Sequence, residues 1–395
     1  MRKPHNWQSP GWMRICLIYD CLYPYTVGGA ERWYRNLAER LVAEGHEVTY
    51  LTLRQWERGE ELDIDPRIRV VEAGPRMGLY VGGRRRILPP LVFGAGVLWH
   101  LLRHGRRYEV VHTCAFPYFS LLAAALARPL GRYRLVSDWF EVWSRDYWRN
   151  YLGGVGGRIG ELVQRLCARV PQRTFCFSEL HVQRLREQGS SGEITILRGL
   201  YAGSTEAATP READPLVLFA GRLIPEKRVT VGVAAVVAAA ERIEGLRGVF
   251  YGDGPDREAL HSSIAKYDAG SFISAPGFTA GERVDADMRR ALCVLLPSER
   301  EGYGMVVVEA SSHSTPAVVV AAPDNAATEL VEEGVNGTIA PNPHPETIAQ
   351  AIVRVHEAGM AMRESTATWF AENSERLSLE TSLRTVLASY GATAR

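Results

Sequence analysis

The run Pro297-Ser298-Glu299-Arg300-Glu301-Gly302-Tyr303-Gly304-Met305-Val306-Val307-Val308-Glu309-Ala310 places two carboxylates in an E-x7-E pattern, at Glu301 and Glu309. Glu301 falls in a turn, and Glu309 lies one turn into the helix that the apolar residues announce. Gly302 and Gly304 let the backbone come close to a ligand. The start of the helix offers free amides and a positive dipole end to a phosphate. A carboxylate set directly on a diphosphate would repel it. Glu301 and Glu309 are therefore read as partners of hydroxyl groups, Glu309 as a partner of a ribose diol.

A second run, Gly221-Arg222-Leu223-Ile224-Pro225-Glu226-Lys227, follows a strand, where α/β folds place their ligands. Arg222 brings a planar fork and Lys227 a point charge, and together they can hold a diphosphate from two sides. A third, Gly28-Gly29-Ala30-Glu31, opens a helix; alone it is a plain strand-to-helix turn. The strings Asp63-Ile64-Asp65 and Asp285-Ala286-Asp287 read as solvated charge and not as a metal site. Cys16, Cys21, Cys114, Cys167, Cys176 and Cys293 form no CxxC and no Cys/His metal spacing. Buried, reduced thiols are expected of them.

These motifs need elements to hold them. Arg14–Tyr19 reads as a buried strand. Ala30, Trp33, Tyr34, Leu37, Ala38, Leu41 and Val42 recur at helical spacing, and Val48–Leu53 is the next strand. This is a βαβ unit of a parallel sheet. The plan restarts with a strand at Leu216–Ala220, a helix from Glu226 to Glu241 and a strand at Val249–Tyr251. The segment 201–215 has linker composition. The fold class is therefore α/β with two Rossmann-like domains, 1–203 and 204–371. A helix over 372–395 is expected to pack back on the first domain.

Length and composition agree with two globular domains: 395 residues, 46% apolar and 23% charged. A net charge of +1 argues against nucleic acid as a partner. The balance conceals an asymmetry, with a net +10 over residues 1–200 and −9 over the rest. A basic half fits an anionic ligand or a membrane surface. The first twelve residues are polar and lack a signal-peptide core, with Met13 as a second start, so a cytoplasmic protein is expected. The apolar stretch Ile87–Leu102 is broken by Pro89, Pro90 and His100 and is too short to span a bilayer. Arg84, Arg85, Arg86, Arg103, Arg106 and Arg107 flank it, which fits an interfacial segment and a peripheral membrane contact.

Taken together, the motifs resemble the family-4 retaining glycosyltransferases of the GT-B fold, in which two Rossmann-like domains with parallel sheets face a central cleft. The resemblance covers nearly the whole chain. It also includes Gly252-Asp253-Gly254-Pro255, Thr315-Pro316-Ala317-Val318 and Glu329-Leu330-Val331-Glu332-Glu333-Gly334-Val335-Asn336-Gly337. It implies a nucleotide-sugar donor on the C-terminal domain, an acceptor on the N-terminal domain, and no metal or other cofactor. Arg222 and Lys227 would stabilise the leaving diphosphate, because preorganised cations offset the charge that builds there. Glu301 would contact the transferred sugar and Glu309 the ribose. Amides around Tyr303, Met305 and Val306 would hold the distal phosphate. Gly29, Gly302, Gly304 and Phe278 would complete the donor site. Transfer would retain configuration by front-face attack, to a small-molecule, natural-product-like acceptor or, alternatively, a lipid-linked or cell-envelope one. A binding-only partner subunit is the competing class; the presence of Arg222, Lys227, Glu301 and Glu309 argues against it.

Two positions depart from the family pattern. Relatives carry a His by the donor sugar where this chain has Phe140, in Val136-Ser137-Asp138-Trp139-Phe140-Glu141-Val142-Trp143; the nearest histidine is His112. A Phe cannot bind a hydroxyl but packs against a methyl group. The donor would then lack the 6-hydroxyl, as a deoxysugar or pentose does; the other reading makes Phe140 a core residue. Ser314 stands where a Gly usually precedes Thr-Pro. The acceptor candidates are Tyr25, Asp138, Trp139, Phe140 and Glu141. The aromatic run Trp139, Phe140, Trp143, Tyr147, Trp148 and Tyr151 either stacks on an acceptor or packs a helical hairpin.

Overall fold

The computed structural model describes residues 11–81 and 84–391. The polar first ten residues, the side chain of Arg84 and the last four residues of the expected C-terminal helix lie outside the described residues. The chain forms two compact units. One holds Met1–Phe177, His181–Leu197 and Glu380–Arg395, and the other Ser178–Leu180 and Arg198–Leu379.

The first unit is built on seven parallel strands: β1 (Arg14–Ile18), β2 (Glu47–Leu53), β3 (Arg69–Gly74), β4 (Val110–Cys114), β5 (Arg134–Trp139), β6 (Arg173–Cys176) and β7 (Ile194–Ile196). Their order is β3-β2-β1-β4-β5-β6-β7. The strand order reverses between β1 and β4. Helix α1 (Gly29–Ala43) joins β1 to β2, and α2 (Leu88–His104) carries the chain from β3 to β4. Helices α3 (Phe119–Gly131) and α4 (Arg145–Ala168) make the next two crossovers, and α5 (Glu179–Glu187) precedes β7. Strands covered on both faces read as unbroken apolar runs, and Ile15–Ile18 and Val110–Val111 are wholly buried.

The second unit repeats the plan with six parallel strands: β8 (Leu216–Ala220), β9 (Arg247–Tyr251), β10 (Ile273–Gly277), β11 (Cys293–Leu296), β12 (Ala317–Val320) and β13 (Gly337–Ala340). The order β10-β9-β8-β11-β12-β13 reverses between β8 and β11. Its helices are α6 (Val229–Ala240), α7 (Arg257–Lys266), α8 (Gly281–Arg290), α9 (Met305–Ser312) and α10 (Pro345–Leu377). The expected helix from Glu226 is shorter. A 3-10 turn at Pro225–Lys227 comes first, and Arg228 at φ +48° separates it from α6.

The final helix, α11 (Leu379–Gly391), packs in the first unit. Its Tyr390 hydroxyl shares a 2.5 Å hydrogen bond with His112 Nδ1, and His112 Nε2 lies 2.9 Å from Asp138 Oδ1. Both His112 and Asp138 are fully buried. His112 is thus a core residue that anchors the end of the chain. All six cysteines are free and buried. Burial pushes the Cys293 thiol up to about 12, which leaves it inert at neutral pH.

Asp287 corrects the reading of Asp285-Ala286-Asp287 as solvated charge. It is only 3% exposed. It accepts hydrogen bonds from the Tyr251 hydroxyl, from Arg283 Nε at 3.1 Å and from Arg290 Nη2 at 2.7 Å. Burial pushes its pKa up. The bonds from Tyr251 and Arg290, with the charges of Arg290 and Arg283, outweigh that and hold it below the ordinary carboxylate value. Both arginines are well exposed, so solvent screens the pairs. Asp287→Asn should therefore cost about 1–2 kcal/mol in urea unfolding at neutral pH. A lowered folded-state pKa gives stability that is present above the unfolded value and lost as pH falls through the folded one. The deficit of Asp287→Asn should accordingly vanish as pH drops below the usual carboxylate range.

Candidate functional site

The reversal of strand order in the second unit opens a crevice beyond the carboxyl ends of β8 and β11, where open α/β sheets bind ligands. The loop after β8 carries Arg222 and Lys227, and the loop after β11 carries Ser298 to Glu301. Three ion pairs join the two loops. Lys227 Nζ bonds Glu301 Oε1, Arg228 Nη2 lies 3.0 Å from Glu299 Oε2, and Arg300 Nη2 lies 3.3 Å from Glu226 Oε1. The Glu299 amide also donates to the Glu226 carbonyl at 2.8 Å.

Glu301 is 8% exposed. Its Oε1 accepts from Ser298 Oγ at 2.6 Å as well as from Lys227. Oε2 has no hydrogen-bond partner among the described residues and is left to accept from a bound hydroxyl. Below this loop, Asn325 Nδ2 donates to the Ser298 carbonyl at 3.2 Å and to the Val320 carbonyl at 2.8 Å. A short parallel ladder pairs Arg300 and Glu301 with Asp324 and Asn325. Arg222 differs from its neighbours. It is exposed, and its guanidinium has no ion-pair or hydrogen-bond partner among the described residues.

Glycines make the close approaches. Gly304 sits at φ +101°, and a Cβ there would come within 2.5 Å of Ala327 Cβ. It turns the chain into α9, whose first turn begins at Met305. Gly252 and Gly254, at φ +134° and +154°, bring the loop after β9 against the β8 turn, where a Cβ would meet the carbonyl oxygens of Gly221 and Leu223. Leu223 N donates to Asp253 O at 2.9 Å, and Asp256 N to Leu223 O at 2.9 Å. The backbone of the Arg222 turn is thus fixed on both sides.

The other residues expected on the donor side fall at the same edge of the sheet. Glu309 is half-buried on α9. Phe278 directly follows β10 and is 81% exposed, a free aromatic face. Met305 is half-buried, whereas Val306 is buried in the first turn of α9. Tyr303 is buried, and its hydroxyl donates to the Arg198 carbonyl. Burial pushes its phenol well up. Its ring therefore supports the loop, and only its backbone can serve a ligand. Ser314 adopts φ +58°, a conformation that favours glycine, and its hydroxyl donates to the Ala208 carbonyl.

In the first unit the structure separates the acceptor candidates. Asp138 and Trp139 are both 0% exposed, which corrects the expectation that they meet an acceptor. Trp33 Nε1 donates to Asp138 Oδ2 at 2.7 Å, and Trp139 Nε1 donates to Ser137 Oγ at 3.0 Å. They end β5 inside the core. Phe140 is half-buried and stacks on Phe177, with ring centroids 4.2 Å apart and planes 4° from parallel. Half-buried Glu141 accepts from Trp143 Nε1 at 2.8 Å. Trp143 in turn packs 4.8 Å from Tyr147, 4.6 Å from Trp148 and 5.1 Å from Tyr151. Most of the aromatic run is thus spent on packing the start of α4. Tyr25 is half-buried, 5.6 Å from the Trp56 ring. A Cβ on Gly29 would meet nothing within 4 Å, so this turn is open.

The sequence did not mark Ser298, Asn325, Glu226 or Arg228 as part of the site. Ser298, Glu226 and Arg228 were visible only as neighbours of motif residues. Among the described residues no group of three or more His, Cys, Asp and Glu is placed to hold a metal ion.

The description "Glycosyl transferase 4-like domain" matches residues 28–198, and "Glycosyl transferases group 1" matches residues 205–373. The alpha-D-kanosaminyltransferase of Streptomyces kanamyceticus is 29% identical over 141 residues, 36% of each chain. The chain thus aligns with about a third of that relative's length. Sucrose-phosphate synthase from Thermosynechococcus elongatus superposes with a TM-score of 0.78 at 18% identity, over 95% of this chain and 97% of that one. Anabaena HepE, solved in complex with UDP, superposes with a TM-score of 0.72 at 17% identity, over 95% and 99%. At these identities the two structures establish the fold. Two Rossmann-like units, each matched by a glycosyltransferase domain of its own, make this chain a member of the GT-B-fold glycosyltransferases.

Proposed function

We propose that the protein transfers a glycosyl group from a nucleoside diphosphate sugar to a hydroxyl of a small-molecule acceptor, with retention at the anomeric carbon. One observation carries the reading. An unpaired guanidinium, Arg222, and an ion-paired ammonium, Lys227, stand at the carboxyl edge of β8, across from a carboxylate with one free oxygen and the start of α9. Departure of a diphosphate builds negative charge, and fixed cations there lower the barrier. In this reading Arg222 and Lys227 take the diphosphate, and the first amides of α9 take its distal phosphate. Glu301 Oε2 holds a sugar hydroxyl, Glu309 the ribose, and Phe278 stacks on the base. The leaving phosphate oxygen accepts the proton of the hydroxyl attacking from the same face. The side-chain cations supply the charge, so the reading calls for no metal. The kanosaminyltransferase relative supports glycosyl transfer, and the UDP complex of HepE supports the nucleotide. A lipid-linked acceptor is the second reading, favoured by the exposed apolar helices of the first unit.

A panel of nucleotide sugars with the purified full chain tests this. Arg222→Ala and Lys227→Ala should each lower kcat by about 10²–10³-fold. Arg222→Ala should leave the melting temperature unchanged, because the side chain is exposed and unpaired. Transfer should be equal in EDTA and in magnesium. Full activity in both variants would overturn the assignment.

Phe140 sets a further expectation. Its ring can offer an apolar edge but no hydrogen bond, so a donor without a 6-hydroxyl should turn over faster than UDP-glucose. Phe140→His should shift the preference toward the hydroxylated sugar. Equal or better turnover of UDP-glucose by the unaltered protein would sink the idea.

A further inference from the structure

Helices α2, α3 and α4 all carry the chain rightward along the first sheet, and right-handed crossovers set them on one face of it. They pack as neighbours. A Cβ on Gly94 of α2 would come within 2.6 Å of Phe119 Cβ on α3, and Cys167 of α4 donates to the Tyr118 carbonyl before α3 at 3.5 Å. Each carries exposed apolar side chains on its outward side. Gly153, at φ +77°, redirects α4, and beyond it Val155, Ile159, Leu162 and Leu166 are 49–74% exposed. The spacing of four, three and four residues places them in one stripe. On α2, Leu91, Trp99 and Leu102 are exposed with the same periodicity, and α3 adds Leu126 and Leu130.

Arginines border these stripes. Arg158, Arg165 and Arg169 run along one side of the α4 stripe, and Arg103 lies 3.2 Å over the Trp99 ring. Within the three helices the acids are Asp146 and Glu161, and Glu161 is ion-paired with Arg145 and Arg165. The fold itself does not demand this exposure. Among the described residues the first unit exposes thirteen large apolar side chains, and the second unit, on the same plan, three.

We propose that this three-helix face docks onto an anionic lipid bilayer. The apolar stripes enter the headgroup boundary, and the arginines pair with acidic headgroups. Charge selects this occupant over a second copy of the chain. A two-fold contact through the α4 stripe would bring Arg158, Arg165 and Arg169 of both copies together against one nearby acid on each, Glu161, which Arg145 and Arg165 already share. Not every flanking arginine takes part: Arg85 turns inward onto buried Asp20. The inference does not rest on the transfer reaction.

Vesicle flotation of the full chain tests it. Vesicles of equal parts phosphatidylglycerol and phosphatidylcholine should carry the protein up, and pure phosphatidylcholine should not. Ile159→Asp with Leu162→Asp should cut the bound fraction about tenfold, and Arg158→Gln with Arg165→Gln should weaken binding and reduce its salt dependence. All four positions are on the surface, so the melting temperature and its shift with UDP should stay as in the parent. That UDP shift reads the donor site separately, so a failure of docking and a failure of the proposed function are distinguishable. No flotation on anionic vesicles would overturn the proposal. Flotation retained by the Asp variant would overturn it too, as would a dimer that the Asp variant dissolves.

Discussion

Two loops of alternating charge, Glu226-Lys227-Arg228 and Glu299-Arg300-Glu301, are locked to each other, and the geometry of the crevice in the second unit depends on that lock. Ion pairs of this exposure add little to stability, and breaking one costs more than forming it gains. Their effect is positional. Each basic group that could wander is tied to an acid on the opposite loop, and each acid that would repel a phosphate is neutralised. Arg222 alone is left without a partner among the described residues. In the proposed function, holding one free cation among paired charges at the reversal of strand order preorganises the crevice for an anion.

Preorganisation also needs a rigid backbone, and here the glycines act. Gly252 and Gly254 seat the loop after β9 against the carbonyls of Gly221 and Leu223 at separations no side chain permits. Gly304 does the same between the β11 loop and Ala327. Ser314 shows the reverse case. It keeps a left-handed conformation without being glycine, and its bond to the Ala208 carbonyl offsets the strain and tethers the segment leading into β8.

The strands, the α/β class and the motif positions were legible because parallel strands leave unbroken apolar runs and glycines punctuate the turns between them. The orientation of single side chains was not. Asp138 and Trp139 read as loop residues, but they are the last two of β5, and a sheet covered on both faces buries both parities. Asp287 read as solvated because its helix neighbours are charged, while Tyr251, which draws it inward, comes from a distant strand. The lock itself was half-legible. Glu301 and Lys227 stood out by type and spacing, but that each is the other's partner depends on β8 and β11 being neighbours. That adjacency follows from the strand order and not from local pattern.

The two units share one plan, so their differences locate what the fold leaves open. In the second unit the crossover helices bury their apolar residues, and polar groups such as those around Asp287 meet solvent. In the first unit the equivalent layer turns leucines outward beside arginines. The net charges of the two halves, +10 and −9, follow the same division. Composition alone could only register that imbalance. The crossover rule turns it into geometry, because it gathers α2, α3 and α4 onto one face and leaves the carboxyl edge of the sheet to the loops. On the proposed docking, a unit arranged this way would separate two tasks in space. Its loops can change with the ligand, and its helical face can hold a surface, without either disturbing the sheet between them.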